Sequence, residues 1–414
     1  MVPKLASTLG TSGVCVLLGL VSGTLAARVL GPSSRGELAQ LLLWPQLVIT
    51  TGNLSIEMAA VYLSGDARRR RDVPATVLGI SFVQSLILMP VYVVLVLVVY
   101  RHSGFTREAL VMVPLVPMYL VGAVSIDVLA GRLRFGAFNL VRVTLPAIYT
   151  GGLVALAVMG RLTPMTAALA FLVAHGCDDV LALALVWLES GFGRFDRGIA
   201  RAAVSFGARA HLGRLSAQAL SVDILIISLM LSARDLGLYT AASAFLAAPG
   251  LVASSIGFVV YPHVSATHQA GERPQLQAIF ALHAASVAVL AALLFVLAAP
   301  LITLMFGDSY ASAAPALRWL AVGAVAASIR AFPIEVLRGV GRPGLTSLVE
   351  VANWLFFLLA IPIGAAQGGL IGVAAAVAAA NYASLAALGV LVWRSGVMSA
   401  PAPARPLVDA VEAA

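Results

Sequence analysis

Long apolar runs alternate with short polar breaks along almost the whole chain. A helix needs about 20 mostly apolar residues to cross a bilayer. On that criterion spanning helices are predicted near 11–30, 38–63, 74–100, 109–130, 139–160, 165–188, 211–231, 236–262, 276–305, 313–337, 344–365 and 368–393. A transmembrane barrel would show short alternating segments instead, so the expected class is all-α. The first run follows Lys4 much as a signal peptide follows its charged start, but similar runs succeed it, so it reads as an uncleaved first span. Glycine, alanine and serine in many runs allow close helix contact, and prolines at 45, 90, 146, 249, 333 and 362 predict kinks.

Composition agrees with this pattern. Of 414 residues, 61% are apolar and 11% charged, whereas a soluble domain has roughly 45–50% and about 25%. The net charge of +8 does not point to nucleic acid, because nearly every basic residue is an arginine in a short loop between apolar runs. One set of span ends carries Lys4, Arg68–Arg71, Arg132, Arg134, Arg194, Arg197, Arg201, Arg209, Arg214, Arg273, Arg338, Arg342, Arg394 and Arg405. The other carries Arg28, Arg35, Arg101, Arg107, Arg161, Arg234 and Arg318. The richer side is expected to be cytoplasmic, with both termini there and an even number of spans. Cys15 and Cys177 lie inside apolar runs with no metal-binding spacing.

The chain also repeats itself. Residues 128–143, VLAGRLRFGAFNLVRV, align with 336–351, VLRGVGRPGLTSLVEV, through matching valine, leucine, glycine and arginine positions, Gly131/Gly339 and Arg134/Arg342 among them. Leu30–Gly36 and Leu231–Gly237 give a weaker echo. An offset of six helices predicts two parallel six-helix halves, 1–199 and 200–399, around a central cavity, with a disordered cytoplasmic tail at 400–414. That is a plan for a carrier whose halves rock about a central site.

Ionisable groups inside a span are costly and face a cavity or a partner. Gln46, Thr50, Asn53 and Glu57 follow helical spacing on one face, either lining a hydrated cavity or forming a network between helices. His211, Arg214, Gln218 and Ser221 form a second stripe. Asp223 needs a partner, for which Arg330 lies at a matching depth. Arg142 and Glu350 occupy equivalent repeat positions and either bridge the halves or sit solvated at membrane edges. His175, Asp178 and Asp179 cluster on one span, a thin basis for a metal or proton site. Arg28 and Arg35 stand at the outer ends of the first two spans, as phosphate-binding groups or as interfacial anchors.

ARVLGPSSRGELAQL at 27–41, VDILIISLMLSARDLGLYTAASAF at 222–245, FGDSYASAAPALRWL at 306–320, the 336–351 segment and GLIGVAAAVAAANYAS at 369–384 resemble the signatures of the O-antigen and polysaccharide-repeat flippases. Their superfamily also holds multidrug and toxin extruders and lipid II flippases. The resemblance implies twelve helices in two bundles, alternating access, and export of an undecaprenyl-diphosphate-linked oligosaccharide to the outer leaflet of the inner (plasma) membrane. It also implies polysaccharide-assembly proteins as partners. The motifs do not fix the sugar, and lysine is almost absent, so a cationic cavity would be built by arginine. On this reading Arg28, Gln46, Asn53, Glu57, Gln218 and Arg330 are candidates to line the cavity. Glu57 and Asp223 are candidates for coupling to H+ or Na+, with no cofactor and no metal. A cation-coupled drug exporter is the alternative. A membrane enzyme is disfavoured by the short loops and the lack of a DxD-like, HExxH or GxSxG motif.

Overall fold

The computed structural model describes residues 2–65, 71–101, 105–217, 222–269 and 276–394. Among these residues every regular element is a helix. In chain order they are α1 (Val2–Gly52), α2 (Ile56–Ser64), α3 (Asp72–Val99), α4 (Thr106–Leu110), α5 (Leu115–Gly131), α6 (Phe135–Val158), α7 (Pro164–Ser190), α8 (Arg197–Ala217), α9 (Val222–Met230), α10 (Ala233–Ala244), α11 (Ala247–Gln269), α12 (Gln277–Val296), α13 (Ala298–Phe306), α14 (Ala314–Gly339) and α15 (Pro343–Arg394).

Eight described helices are long and apolar enough to cross a membrane, or nine when the bent pair Ala233–Ala244 and Ala247–Ile256 is taken as one span. Twelve are expected from the hydropathy pattern. The difference arises where helices run together or are interrupted. Gly10–Gly52 and Gly344–Val392 are runs of 43 and 49 residues, each about twice the length of a crossing. Each is broken by a glycine outside the helical region, Gly31 (φ 73°) and Gly369 (φ 55°). The span expected at 211–231 includes 218–221, outside the described residues, as is the tail expected at 400–414.

α3 shows why lipid surrounds the molecule. Its outward face carries Phe82, Val83, Leu86, Ile87, Val94, Leu97 and Val98, all exposed, while Ser81, Gln84, Ser85 and Tyr92 are buried. A helix with its polar groups inward and its apolar groups outward is unstable in water and stable in hydrocarbon.

The chain divides into two compact units, Met1–Leu215 and Ser216–Ala414. The division falls beyond 199/200 because α8 packs on the first unit through Ile199 and Ala203. The core of that unit also includes Ile56, Val77, Leu129, Val141 and Val186. In the second unit, Ile256, Val260, Val264, Phe332 and Val336 form one cluster, and Ile334, Leu337, Val349 and Leu388 another.

The internal repeat folds alike in both units. α5 ends at Gly131 and α14 at Gly339. A residue of positive φ follows at equivalent positions, Leu133 (59°) and Gly341 (73°). The same bonds close both turns: Arg134 N–H donates to Leu129 O at 3.0 Å, and Arg342 N–H to Leu337 O at 2.9 Å. This left-handed helix stop satisfies carbonyls that would otherwise be orphaned. Glycine is required two residues before that position in both copies. A Cβ on Gly131 would collide with the Val61 backbone, and one on Gly339 with the Val264 side chain.

Candidate functional site

The polar stripe of the second predicted span is interrupted. α1 stops at Gly52 and α2 starts at Ile56, with Leu54 (φ 51°) and Ser55 (φ 49°) left-handed between them. Two consecutive non-glycine residues in this region store strain that surrounding contacts must offset. Those contacts are present. Asn53 Oδ1 accepts the Ser55 N–H at 3.0 Å, and Gln84 Nε2 donates to Asn53 O at 2.8 Å. His211, from α8, engages Thr51 O through Nε2 at 3.0 Å and Ser55 Oγ through Nδ1 at 3.2 Å. A carbonyl only accepts, so Nε2 carries the hydrogen in its bond to Thr51 O. Gly207 lets α8 approach the Leu54 carbonyl, which a Cβ would meet. Phe206 stacks on Tyr62 with centroids 5.1 Å apart.

The break separates the stripe into two environments. Gln46 is exposed and reaches Thr50 Oγ1 at 3.4 Å. Asn53 and Glu57 are buried inside the first unit, with Asn53 Nδ2 3.4 Å from Glu57 Oε1. Uniform helical spacing, which placed all four on one face, does not continue through non-helical residues.

Elsewhere in this unit, Arg28 is exposed, while Arg35 donates to Gly23 O across the Gly31 kink. Arg142 bonds Ser12 Oγ at 3.1 Å and lies over the Phe138 ring. Glu189 receives Arg132 at 3.7 Å and Arg134 at 3.5 Å. His175 and Asp179 are buried on α7, where His175 packs against Phe171 and Tyr119.

In the second unit the expected pairing of Asp223 with Arg330 does not form. Asp223 accepts the Tyr239 hydroxyl at Oδ2 and the Ile224 N–H at Oδ1, the latter at 2.8 Å. Arg330 Nη1 instead lies 3.4 Å from Glu350 Oε2. A similar depth in two spans does not fix which faces meet. Arg142 and Glu350 each have a partner within their own unit, so neither is simply solvated at a membrane edge. Gln218 and Ser221 lie outside the described residues. Sequence reasoning missed Gln84, Tyr239 and His283, whose Nε2 donates to Ser328 O at 2.9 Å. Gln84 was findable, as a lone amide inside an apolar run. Among the described residues no group of three or more His, Cys, Asp or Glu side chains is arranged to hold a metal ion.

Helices long enough to span, apolar groups turned outward and polar groups bonded within each unit define an all-α, multi-pass membrane protein. The chain is similar to an inward-facing multidrug resistance MATE family transporter of the MOP superfamily (TM-score 0.75, 14% identity, covering 93% of this chain and 95% of that one). It is also similar to the lipid II flippase MurJ in an inward closed conformation (TM-score 0.77, 15% identity, 95% and 87% covered). A MOP superfamily transporter from Pyrococcus furiosus Vc1 shares the fold at a TM-score of 0.61, with 13% identity over 95% of each chain. No curated protein matches the sequence. The profile described as polysaccharide biosynthesis protein matches residues 4–268, and the chain belongs to that family.

Proposed function

We propose that this protein flips undecaprenyl-diphosphate-linked oligosaccharide units across the inner membrane by alternating access, with both termini cytoplasmic. The observation that carries the reading is membership of a polysaccharide biosynthesis family together with a transporter fold. Two parallel six-helix bundles then rock about a central cavity, as the folded repeat supports. Arg28 and Gln46 are exposed and suited to meet diphosphate and sugar. Arg330 would have to exchange Glu350 for substrate phosphate. Glu57 and Asp223, buried and hydrogen-bonded, serve in coupling to H+ or Na+. Polysaccharide-assembly proteins would supply and consume the cargo. No catalytic residue is assigned.

The test is the leaflet location of lipid-linked oligosaccharides in a strain lacking the protein. Accumulation of complete units on the cytoplasmic leaflet, with loss of surface polysaccharide, is expected. Unchanged intermediates with new drug sensitivity would favour a cation-coupled exporter, the reading that the MATE-like fold supports. Truncated intermediates would point to an enzyme of polysaccharide assembly.

A further inference from the structure

The buried carboxylates of this protein differ in one respect. Asn53 donates to Glu57, two arginines meet Glu189, and Tyr239 and a backbone N–H serve Asp223. Asp179, 7% exposed, has no hydrogen bond or ion pair among the described residues. It lies near the middle of α7, a span of 27 residues. Its Oδ1 occupies the place where a Cβ on Gly122 of α5 would stand, so any larger residue at 122 would displace it. His175, one helical turn earlier on the same face, is 8% exposed and is enclosed by the Phe171 ring at 4.6 Å and the Tyr119 ring at 6.0 Å.

A bare carboxylate at mid-span is among the least favourable groups a membrane protein can carry, because nothing replaces its hydration. The elements packed against α7 carry Tyr119 and Asp127 on α5, Arg142 and Tyr149 on α6, and Lys4, Cys15, Arg28, Arg35 and Glu37 on α1. Asp178, the next residue on α7, is a second carboxylate and offers Asp179 no counter-charge. Aromatic rings beside His175 and a glycine under the carboxyl make a poor oxygen cage for a metal cation, but they accommodate a neutral acid.

We propose that Asp179, with His175 one turn before it, is a proton-binding site inside the first unit. The carboxyl is held here as the neutral acid. Rearrangement of the α5–α7 contact lets the proton pass from the Asp179 carboxyl oxygen to the His175 ring or to entering water, leaving a carboxylate. The site is separate from Glu57 and Asp223, and it does not depend on which cargo is carried.

Infrared difference spectroscopy of the purified full-length protein in nanodiscs, titrated with alkali, tests this directly. The wild type should show the C=O stretch of a protonated carboxylic acid at neutral pH. Part of that band should vanish in Asp179→Asn and persist in Asp178→Asn, and Asp179→Asn should melt at or above the wild-type temperature. His175→Gln should shift the pH at which the same component titrates. An unchanged band in Asp179→Asn would overturn the proposal. So would failure of that variant to fold, since an isosteric neutral side chain fits wherever the neutral acid does. A rise in wild-type melting temperature on adding sodium at constant pH, lost in Asp179→Asn, would overturn it in favour of a sodium site. None of these readouts requires transport, so the proposal can fail while the flippase reading stands, and the reverse.

Discussion

Single polar contacts inside the spans are where substitution effects should be sharpest. Asp223 depends on the Tyr239 hydroxyl, and both groups are buried. Tyr239→Phe removes the donor and leaves the acceptor in place, which costs about 1–3 kcal/mol when the acceptor cannot reach water. A lower melting temperature is therefore expected, and Asp223→Asn added to Tyr239→Phe should recover part of it by removing the charge. An unchanged melting temperature in Tyr239→Phe would mean that the contact carries no weight. Arg330 and Glu350 form the second test in this unit. Each single reversal, Arg330→Glu or Glu350→Arg, places like charges together, while the double reversal restores an ion pair. Recovery of expression and stability in the double variant, with no recovery in Arg330→Asp combined with Asp223→Arg, would separate the observed pair from the one expected on depth alone. The residue types were legible in the sequence, since polar groups in apolar runs stand out. Their partners were not, because rotation about each helix axis is set by packing rather than by position along the chain.

Two backbone devices carry the behaviour of whole elements. The first is the repeated helix stop. Its second copy has glycine at the left-handed position, Gly341, and its first has Leu133, 62% exposed. An L side chain there costs roughly 1–2 kcal/mol relative to right-handed backbone, and little packing at Leu133 offsets it. Leu133→Gly should raise the melting temperature by the equivalent of about 0.5–1 kcal/mol after the added freedom of the unfolded chain is counted. Gly341→Leu should lower it. The second device is the break between α1 and α2, clasped by His211. His211→Ala frees the Thr51 carbonyl and the Ser55 hydroxyl in a buried setting, at a cost of about 1–3 kcal/mol. Faster amide exchange confined to residues 51–57 is the expected sign, whereas uniform acceleration across α1 and α2 would show that His211 serves general packing. The repeat was readable from its matched glycines and arginines. The break was not, since Asn53, Leu54 and Ser55 include neither glycine nor proline, and the conformation comes from tertiary contacts with Gln84, Gly207 and His211.

For the whole molecule, class and repeat were legible because lipid imposes a length and a polarity on every span. The number of crossings was less so, because α1 and α15 each continue through a glycine kink that hydropathy alone divides in two. Orientation rests on arginine. The turns at Arg132–Arg134 and Arg338–Arg342 and the segment Arg194–Arg201 lie on the end expected to be cytoplasmic, with Arg161 and Asp308 at the opposite end. Basic loops resist translocation, so a strong bias fixes which face stays inside. Single cysteines placed at the exposed positions Leu133 and Arg342 should react with a membrane-impermeant thiol reagent only after the cells are opened. Cysteines at the exposed positions Arg161 and Ser309 should react in intact cells. The background must first lose Cys15 and Cys177, since the latter is exposed. Because positions 133 and 342 belong to matching turns of the repeat, labelling of both from one side would also show that the halves are parallel. Labelling from opposite sides would mean that they are inverted, and a two-bundle carrier would then have to place its site by a different symmetry.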